Sequence, residues 1–233
     1  MSLLRRFAGV VFTPPRTFRS LTERPAWVDA LVVILAAGAV YSYLVFPFVR
    51  QDRLRTFEAS AAAFIEDQGR AQYDEAVARI AGESRALGAF LVRPLASLTF
   101  FLFSSLIALG AGRALSGRGH YLQVFSPFIH AGFVTAVLGN AVRLALVRSR
   151  GSALHLATSL AGFFPDVPAG SAGYAALSQV DFFVLWMHGL FGLGLAAAFK
   201  IGTGKGLAIS YALWLLGGLA SFGLAVLGQG FFL

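Results

Sequence analysis

The chain has 233 residues, of which 57% are hydrophobic and 13% are charged. An ordinary soluble domain has roughly 45–50% apolar and about 25% charged residues. This composition excludes a soluble globule, which could not bury so much apolar surface, and a disordered chain, which is poor in aromatic and aliphatic residues. The chain has no cysteine, so disulfides, thiolate metal ligands and a cysteine nucleophile are absent. We predict an all-α, polytopic integral membrane protein.

Residues 1–27 precede the first long apolar run and carry a net charge of +4. Leu3, Phe7 and Val10 recur at helical spacing with Arg5 on the opposite face, which is typical of an amphipathic helix at the membrane interface. We expect this region to bind anionic lipids at the cytoplasmic face. The basic side chains predicted to contact the lipid are Arg5, Arg6, Arg16 and Arg19.

Five apolar runs are long enough to cross the hydrocarbon core, which takes about 20 helical residues. We place the transmembrane helices at about 28–48, 94–112, 122–142, 180–199 and 207–227. No compositional boundary and no internal repeat divides the chain, so we expect a single membrane domain over 1–233.

Two longer stretches separate the predicted spans. The stretch 50–86 has mixed charge and an apolar stripe at helical spacing, which predicts an extramembrane helical excursion, with Gly69 dividing it into two helices. The stretch 148–179 is rich in Gly, Ala, Ser and Pro. Its composition is compatible both with a cover over the bundle and with re-entry into the membrane.

The charges predict an orientation. The short loops 113–120 and 200–206 each carry a net charge of +2, and short cytoplasmic loops are enriched in Lys and Arg. We therefore expect the N-terminus and these loops in the cytoplasm and the C-terminus outside, in a bacterial cytoplasmic (inner) membrane. The total charge of +8 is spread along membrane-flanking positions, so we expect no nucleic-acid partner.

Several polar residues lie within or beside the predicted spans, where ionisable groups are costly and usually face the bundle interior. In the predicted topology Arg93, Arg143 and Asp181 share the outer membrane level. We expect Asp181 to pair with one of the two arginines and to hold the fourth span in register; the alternative is a proton or ion relay. The predicted polar cluster comprises Arg93, Asn140, Arg143, Asp181, Trp186 and His188.

Three motifs resemble a known family. Residues 11–18 read Val-Phe-Thr-Pro-Pro-Arg-Thr-Phe, similar to the Phe-x-x-Pro-x-x-(Thr)-Phe entry of the Yip (Ypt-interacting-protein) domain family. Residues 180–186 read Val-Asp-Phe-Phe-Val-Leu-Trp and resemble the Asp-Phe-x-x-Trp opening of its fourth span, and 126–128 resembles its Ser-x-x-Pro-type segment. The five-span plan agrees over nearly the whole chain. The resemblance implies a polytopic α-helical protein with a cytoplasmic N-terminus.

Eukaryotic Yip proteins act as membrane adaptors that interact with Rab-type small GTPases. This chain lacks their long N-terminal region, so the resemblance implies a prokaryotic-type member. We expect no enzyme activity, cofactor or metal: residues 202–206 fail the phosphate-loop pattern, and neither a Gly-x-Ser-x-Gly elbow nor a His-Glu-x-x-His helix occurs.

Two function classes remain open. The first is a non-enzymatic membrane adaptor or organiser, with other proteins or a second copy of the chain as partners. The alternative is a small-solute or ion transporter or channel that uses the polar residues of spans two to four. A water-filled cavity lined by Arg93, Asn140, Asp181 and His188 would favour transport, and a dry, packed core would favour the adaptor.

The predicted orientation can be tested with fusions. A reporter that is active only in the cytoplasm should work when inserted near Ser116 and fail when fused after Leu233. Three predicted spans, an odd number, separate these two positions and put them on opposite sides of the membrane. An extracellular-only reporter at the same two positions serves as the control. The opposite pattern contradicts the predicted topology.

Overall fold

The computed structural model describes residues 1–83, 87–169 and 171–230. This part of the chain is all-α, and five of its helices are long and apolar enough to cross a membrane. They are Val28–Ala59, Pro94–Ser116, Tyr121–Arg150, Phe182–Phe199 and Thr203–Gly223. The predicted class, an all-α polytopic membrane protein with five spans, is confirmed.

The third and fourth spans form the centre of the bundle. α7 (Tyr121–Phe133) packs against α10 (Phe182–Phe199), and the fully buried rings of Phe128 and Phe191 stack between them with centroids 4.0 Å apart. A stacked aromatic pair contributes about 0.5–1.5 kcal/mol beyond the area it buries. The other spans surround this centre.

The first, second and fifth spans are peripheral. They are α3 (Val28–Ala59), α6 (Leu87–Ser116) and α11 (Thr203–Gly230). Their outward faces carry large apolar side chains, which suits contact with lipid tails rather than with water. The exposed side chains of these faces include Val32, Val40, Phe103, Leu106, Leu216 and Leu219.

α10 and α11 form a closely packed antiparallel hairpin. A Cβ atom at Gly206 would collide with the carbonyl oxygen of Gly192, and one at Gly192 would run into the backbone of Leu207. The two helices approach this closely because neither has a side chain at the contact, a common arrangement between membrane helices.

The first span continues past the predicted boundary at residue 48. α3 has 32 residues, about 48 Å at 1.5 Å per residue, whereas the hydrocarbon core is about 30 Å thick. Its last turns therefore project beyond the bundle, at what we call the distal end. There α4 (Ala61–Gln68) and α5 (Arg70–Gly82) meet at Gly69, which has a positive φ of 89°, and α5 folds back against α3.

The N-terminal helix pair, α1 (Leu3–Phe12) and α2 (Pro14–Glu23), lies at the opposite end of the bundle. Phe7 stacks on Phe133 of the third span with centroids 4.1 Å apart, and Phe18 is fully buried against the third and fourth spans. The inner apolar face of the pair is therefore part of the protein core.

Arg6, predicted from the sequence to contact lipid head groups, points into the bundle instead. It forms an ion pair with Asp29 at the start of the first span, and its Nε donates to Nε2 of His130 at 3.1 Å. Nδ1 of His130 lies 2.8 Å from the carbonyl oxygen of Ser126. Since a carbonyl can only accept, Nδ1 carries the proton and Nε2 is the acceptor that Arg6 requires. Arg6 thus connects α1 to α3 and α7.

The neighbouring arginines Arg5 and Arg6 provide a matched pair for testing this connection. Arg6→Gln should destabilise the protein by about 1–3 kcal/mol, because it breaks the ion pair with Asp29 and leaves the buried Nε2 acceptor of His130 unsatisfied. Arg5→Gln, at an exposed position, should stay within about 0.5 kcal/mol of the wild type. Unfolding in a neutral detergent measures both, and equal effects would contradict an inward-facing Arg6.

Candidate functional site

A cavity of about 410 Å³ lies among all five spans, toward the distal end, and we call it the bundle cavity. Ligand pockets in proteins typically measure about 300–1,000 Å³. Most of its wall is apolar, and this part includes Ile34, Leu35, Phe100, Phe101, Leu213 and Trp214.

A second cavity of about 540 Å³ lies outside the spans, between the projecting end of α3, Ile80 and the loop that follows the third span. Its buried carboxylate, Asp52, is already bound to the backbone N–H of Ala153 at 2.6 Å. The rest of its wall is mainly apolar. The bundle cavity is therefore the better candidate site.

Polar side chains reach the bundle cavity from several spans. Those among the described lining residues are Ser97, Thr135, Asn140, Arg143, Gln179, His188 and Ser221. Arg143 is the one permanently charged side chain among them, and none of them is a carboxylate. The described wall is thus mainly apolar, with several uncharged polar groups and a single cationic side chain.

Arg143 is held by an ion pair with Asp181. Its NH2 lies 2.7 Å from Oδ1 of Asp181, and the two side chains are 14% and 8% exposed. The same carboxylate caps α10 by accepting the backbone N–H groups of Phe183 at 2.9 Å and Val184 at 3.2 Å. The charge of Asp181 is therefore shared between a helix N-terminus and a guanidinium.

The chain before α10 fixes the position of Asp181. The backbone N–H of Phe182 donates to the carbonyl of Thr158 at 2.8 Å, and that of Leu160 donates to the carbonyl of Val180 at 3.0 Å. These bonds form a short antiparallel bridge across the distal end. Aspartate in extended backbone is a favoured N-cap. The local sequence and the tertiary bridge therefore both fix the position of the carboxylate.

A π-helical turn positions the cationic side of the site. The third span changes from α-helix to π-helix over Val134–Gly139 and returns to α-helix in α8 (Asn140–Arg150). Arg143 NH1 donates to Oδ1 of Asn140 at 3.2 Å and lies 3.5 Å from the carbonyl oxygen of Thr135. A π turn inserts one extra residue into a helix and is frequent at functional sites.

His188 contributes an acceptor deeper in the bundle. Ser210 donates its hydroxyl proton to the carbonyl oxygen of His188 at 2.7 Å, so it must accept from Nδ1–H of the His188 ring, 3.1 Å away. Nε2 is then an acceptor, and no described residue hydrogen-bonds to it. The side chain is 2% exposed and lines the bundle cavity.

This geometry does not activate Ser210 as a nucleophile. Its proton is directed to a backbone carbonyl rather than to the imidazole, whereas a serine nucleophile must give its proton to a base. Ser210 is also absent from the described lining of the bundle cavity. The arrangement is suited to holding a ligand by hydrogen bonds.

The structure brings part of the predicted polar cluster together. The members in direct contact are Asn140, Arg143 and Asp181. His188 lines the same cavity, whereas the ring of Trp186 packs beside Phe182 with centroids 5.8 Å apart. The side chain of Arg93 lies outside the described residues. Asp181 itself is behind Arg143 and is not among the described lining residues.

Several contributors were not identified from the sequence. Gln179 lines the bundle cavity, and its carbonyl accepts the indole N–H of Trp214 at 3.2 Å. Neither residue belongs to a motif. His130 could have been singled out from the sequence, because a histidine within a membrane span requires a hydrogen-bond partner. Of the arginines predicted to face lipid, Arg5, Arg16 and Arg19 are exposed.

Comparison of the chain with protein-family models, curated proteins and solved structures gives no match. The resemblance to the Yip family therefore stays a prediction based on short motifs. The function has to be inferred from the geometry of the site.

Asp181 has two separable roles, as a counter-ion and as a helix cap. Asp181→Asn keeps a capping oxygen but leaves Arg143 without its counter-ion, so it should lower the unfolding free energy by about 3–5 kcal/mol. Asp181→Ala also removes the cap and should cost about 1 kcal/mol more.

Asp166→Asn, at an exposed position near the same end of the bundle, is the control and should change stability by less than about 0.5 kcal/mol. Denaturation in detergent measures all three variants. If Asp181→Asn were as mild as the control, the buried pair would not hold the fourth span.

Proposed function

We propose that the chain is a non-enzymatic integral membrane protein that binds a small solute in the bundle cavity and belongs to the class of transporters and channels. The observation that supports this is the cavity itself, which places polar side chains, among them the buried His188, between membrane-spanning helices. Such groups are costly in a bilayer and commonly mark substrate or ion pathways. Membrane helices that only have to associate can do so through small residues.

The lining residues support solute binding over the adaptor hypothesis. Asn140, His188 and Arg143 all border the cavity, although a fully packed core would have been sufficient for an adaptor. No carboxylate occurs among the described lining residues, so a chain of proton-exchanging acids is not supported. Solute binding requires only hydrogen-bonding side chains such as these.

Irregular backbone beside the cavity also supports this function. The π-helical turn Val134–Gly139 contributes Thr135 and Ala136 to the lining, and Pro94 within α6 also lines the cavity. Interrupted membrane helices are typical of transporter binding sites, where freed backbone groups and altered side-chain directions face the substrate.

A membrane adaptor, the role suggested by the Yip resemblance, is the second candidate. It is favoured by the outer face of the N-terminal helix pair, where Leu4 and Phe12 are each 80% exposed beside the exposed Arg5, Arg16 and Arg19. Apolar side chains flanked by arginines suit an anionic membrane surface. In the proposed orientation this face lies at the cytoplasmic leaflet of a bacterial inner membrane.

Cysteine accessibility tests the solute-binding function, since the natural chain has no cysteine. Ser97→Cys and Thr135→Cys place single thiols on the wall of the bundle cavity. In membrane vesicles both should react with a small, membrane-permeant thiol reagent, because a solute site must be accessible from outside the bundle. Ser105→Cys, fully buried and not among the lining residues, should stay unreacted.

The labelling rates of the two cavity thiols, compared with that of Ser105→Cys, decide between the solute-binding protein and the adaptor. Labelling of the two cavity positions at least about tenfold faster than the control supports a solute site. Labelling as slow as the control means a sealed, packed core and contradicts solute binding in favour of the adaptor. Denatured protein, in which all three thiols react, provides the reference for complete labelling.

A further inference from the structure

The bundle cavity combines one cationic group with a long apolar wall. We propose that its ligand is an anionic amphiphile, a single-chain lipid whose phosphate or carboxylate head binds Arg143 and whose chain lies along the apolar wall. This inference rests on the proposed solute-binding function and specifies the ligand class. Three features of the cavity support it: the free donors of Arg143, the local charge, and the position of the opening.

Some N–H donors of Arg143 have no acceptor among the described residues. A guanidinium has five N–H groups, and the bonds of Arg143 go to Asp181 from NH2, to Asn140 from NH1 and toward the Thr135 carbonyl from NH1. The Nε–H group and the second NH2 hydrogen contact no acceptor among the described residues. Arg143 lines the bundle cavity, and the planar fork of arginine suits phosphate and carboxylate oxygens.

The charge around Arg143 favours an anion even though Asp181 is present. Two backbone N–H groups of α10 also bind that carboxylate, and a helix N-terminus carries a partial positive charge of about half an electron charge. Asp181 is therefore neutralised from two sides, and the positive charge of Arg143 is left partly uncompensated. No carboxylate among the described lining residues opposes an incoming anion.

The opening of the cavity faces the lipid. Among the described lining residues, those on the molecular surface are Phe100 of α6 and Gly217 and Ser221 of α11. Both helices are peripheral spans, so the mouth between them opens sideways into the hydrocarbon region. A ligand that enters there must be soluble in lipid, which an amphiphile is and a free inorganic anion is not.

His188 provides a second polar contact for such a molecule. It lies seven residues after Asp181, about 10 Å deeper along α10 at 1.5 Å per residue. Its Nε2 is an acceptor without a described partner, on a side chain that lines the bundle cavity, and it fits a hydroxyl donor on the ligand. The preferred amphiphile therefore carries an anionic group and a hydroxyl.

Matched lipids test the inference on the full chain in a neutral maltoside detergent. The probe is 1-oleoylglycerol 3-phosphate, and its neutral counterpart is 1-oleoylglycerol, which has the same chain and glycerol but no phosphate. Glycerol 3-phosphate supplies the anion without the chain. We expect the probe to raise Tm and to bind at least about tenfold more tightly than either comparison compound, as befits a charge-assisted hydrogen bond.

Variants assign the preference to Arg143. The double change Arg143→Gln with Asp181→Asn removes both charges, so no unpaired charge is left buried, and it should bind the charged and neutral lipids equally. Arg148→Gln, at an exposed position on the same helix, should keep the wild-type preference. Should the double variant fail to fold, Arg143→Gln alone removes the positive charge, while the N-terminus of α10 still binds Asp181, and it should abolish the preference.

The possible outcomes separate this inference from the proposed function. Equal binding of 1-oleoylglycerol and its phosphate overturns the anion preference, and glycerol 3-phosphate binding as well as the probe overturns the amphiphile. In both cases a solute site remains. A preference that survives both Arg143 variants also overturns the inference, because another residue then supplies the charge. Slow labelling of Ser97→Cys contradicts the proposed function independently of any lipid.

Discussion

The buried ion pair between Arg143 and Asp181 is the contact on which the distal half of the molecule depends. It joins the third span to the start of the fourth, where Asp181 also caps α10. Removing two charges from water costs several kcal/mol per ion, so such a pair is tolerable only with good geometry and further hydrogen bonds. The helix N-terminus and Asn140 supply those bonds. The same contact places Arg143 on the wall of the bundle cavity.

The opposite end of the bundle also contains an ion pair, but a more exposed one. Asp29 lies at the start of the first span and is about half exposed, and its partner Arg6 comes from a short helix that packs under the bundle. Between the two polar contacts the centre is held by aromatic packing, as in the stacked pair Phe128 and Phe191. The described helices thus surround an apolar middle with an ionic contact at each end, and the bundle cavity opens beside the distal one.

The spans were predictable because crossing the hydrocarbon core needs about 20 apolar residues, and such runs are visible in the sequence. A charge within a span needs a partner, so an arginine for Asp181 was also predictable, but choosing Arg143 required knowing where the third span contains its π-helical turn. Its π turn, Val134–Gly139, has no sequence signature. Arg6 was assigned to lipid because helical periodicity describes one helix at a time, and Asp29 and His130 come from two other helices. The cavity, likewise, is a property of how five helices meet.

Arg143 and Asp181 act as one unit, and a double-mutant cycle measures their coupling directly. Unfolding free energies in detergent would be compared for the wild type, Arg143→Gln, Asp181→Asn and the double variant. If the pair is buried and coupled, the double variant should be more stable than the sum of the single losses predicts, by about 2–3 kcal/mol. Additive losses, within about 0.5 kcal/mol, would contradict the account, because the two charges would then be independent and the bundle cavity would lack its organising contact.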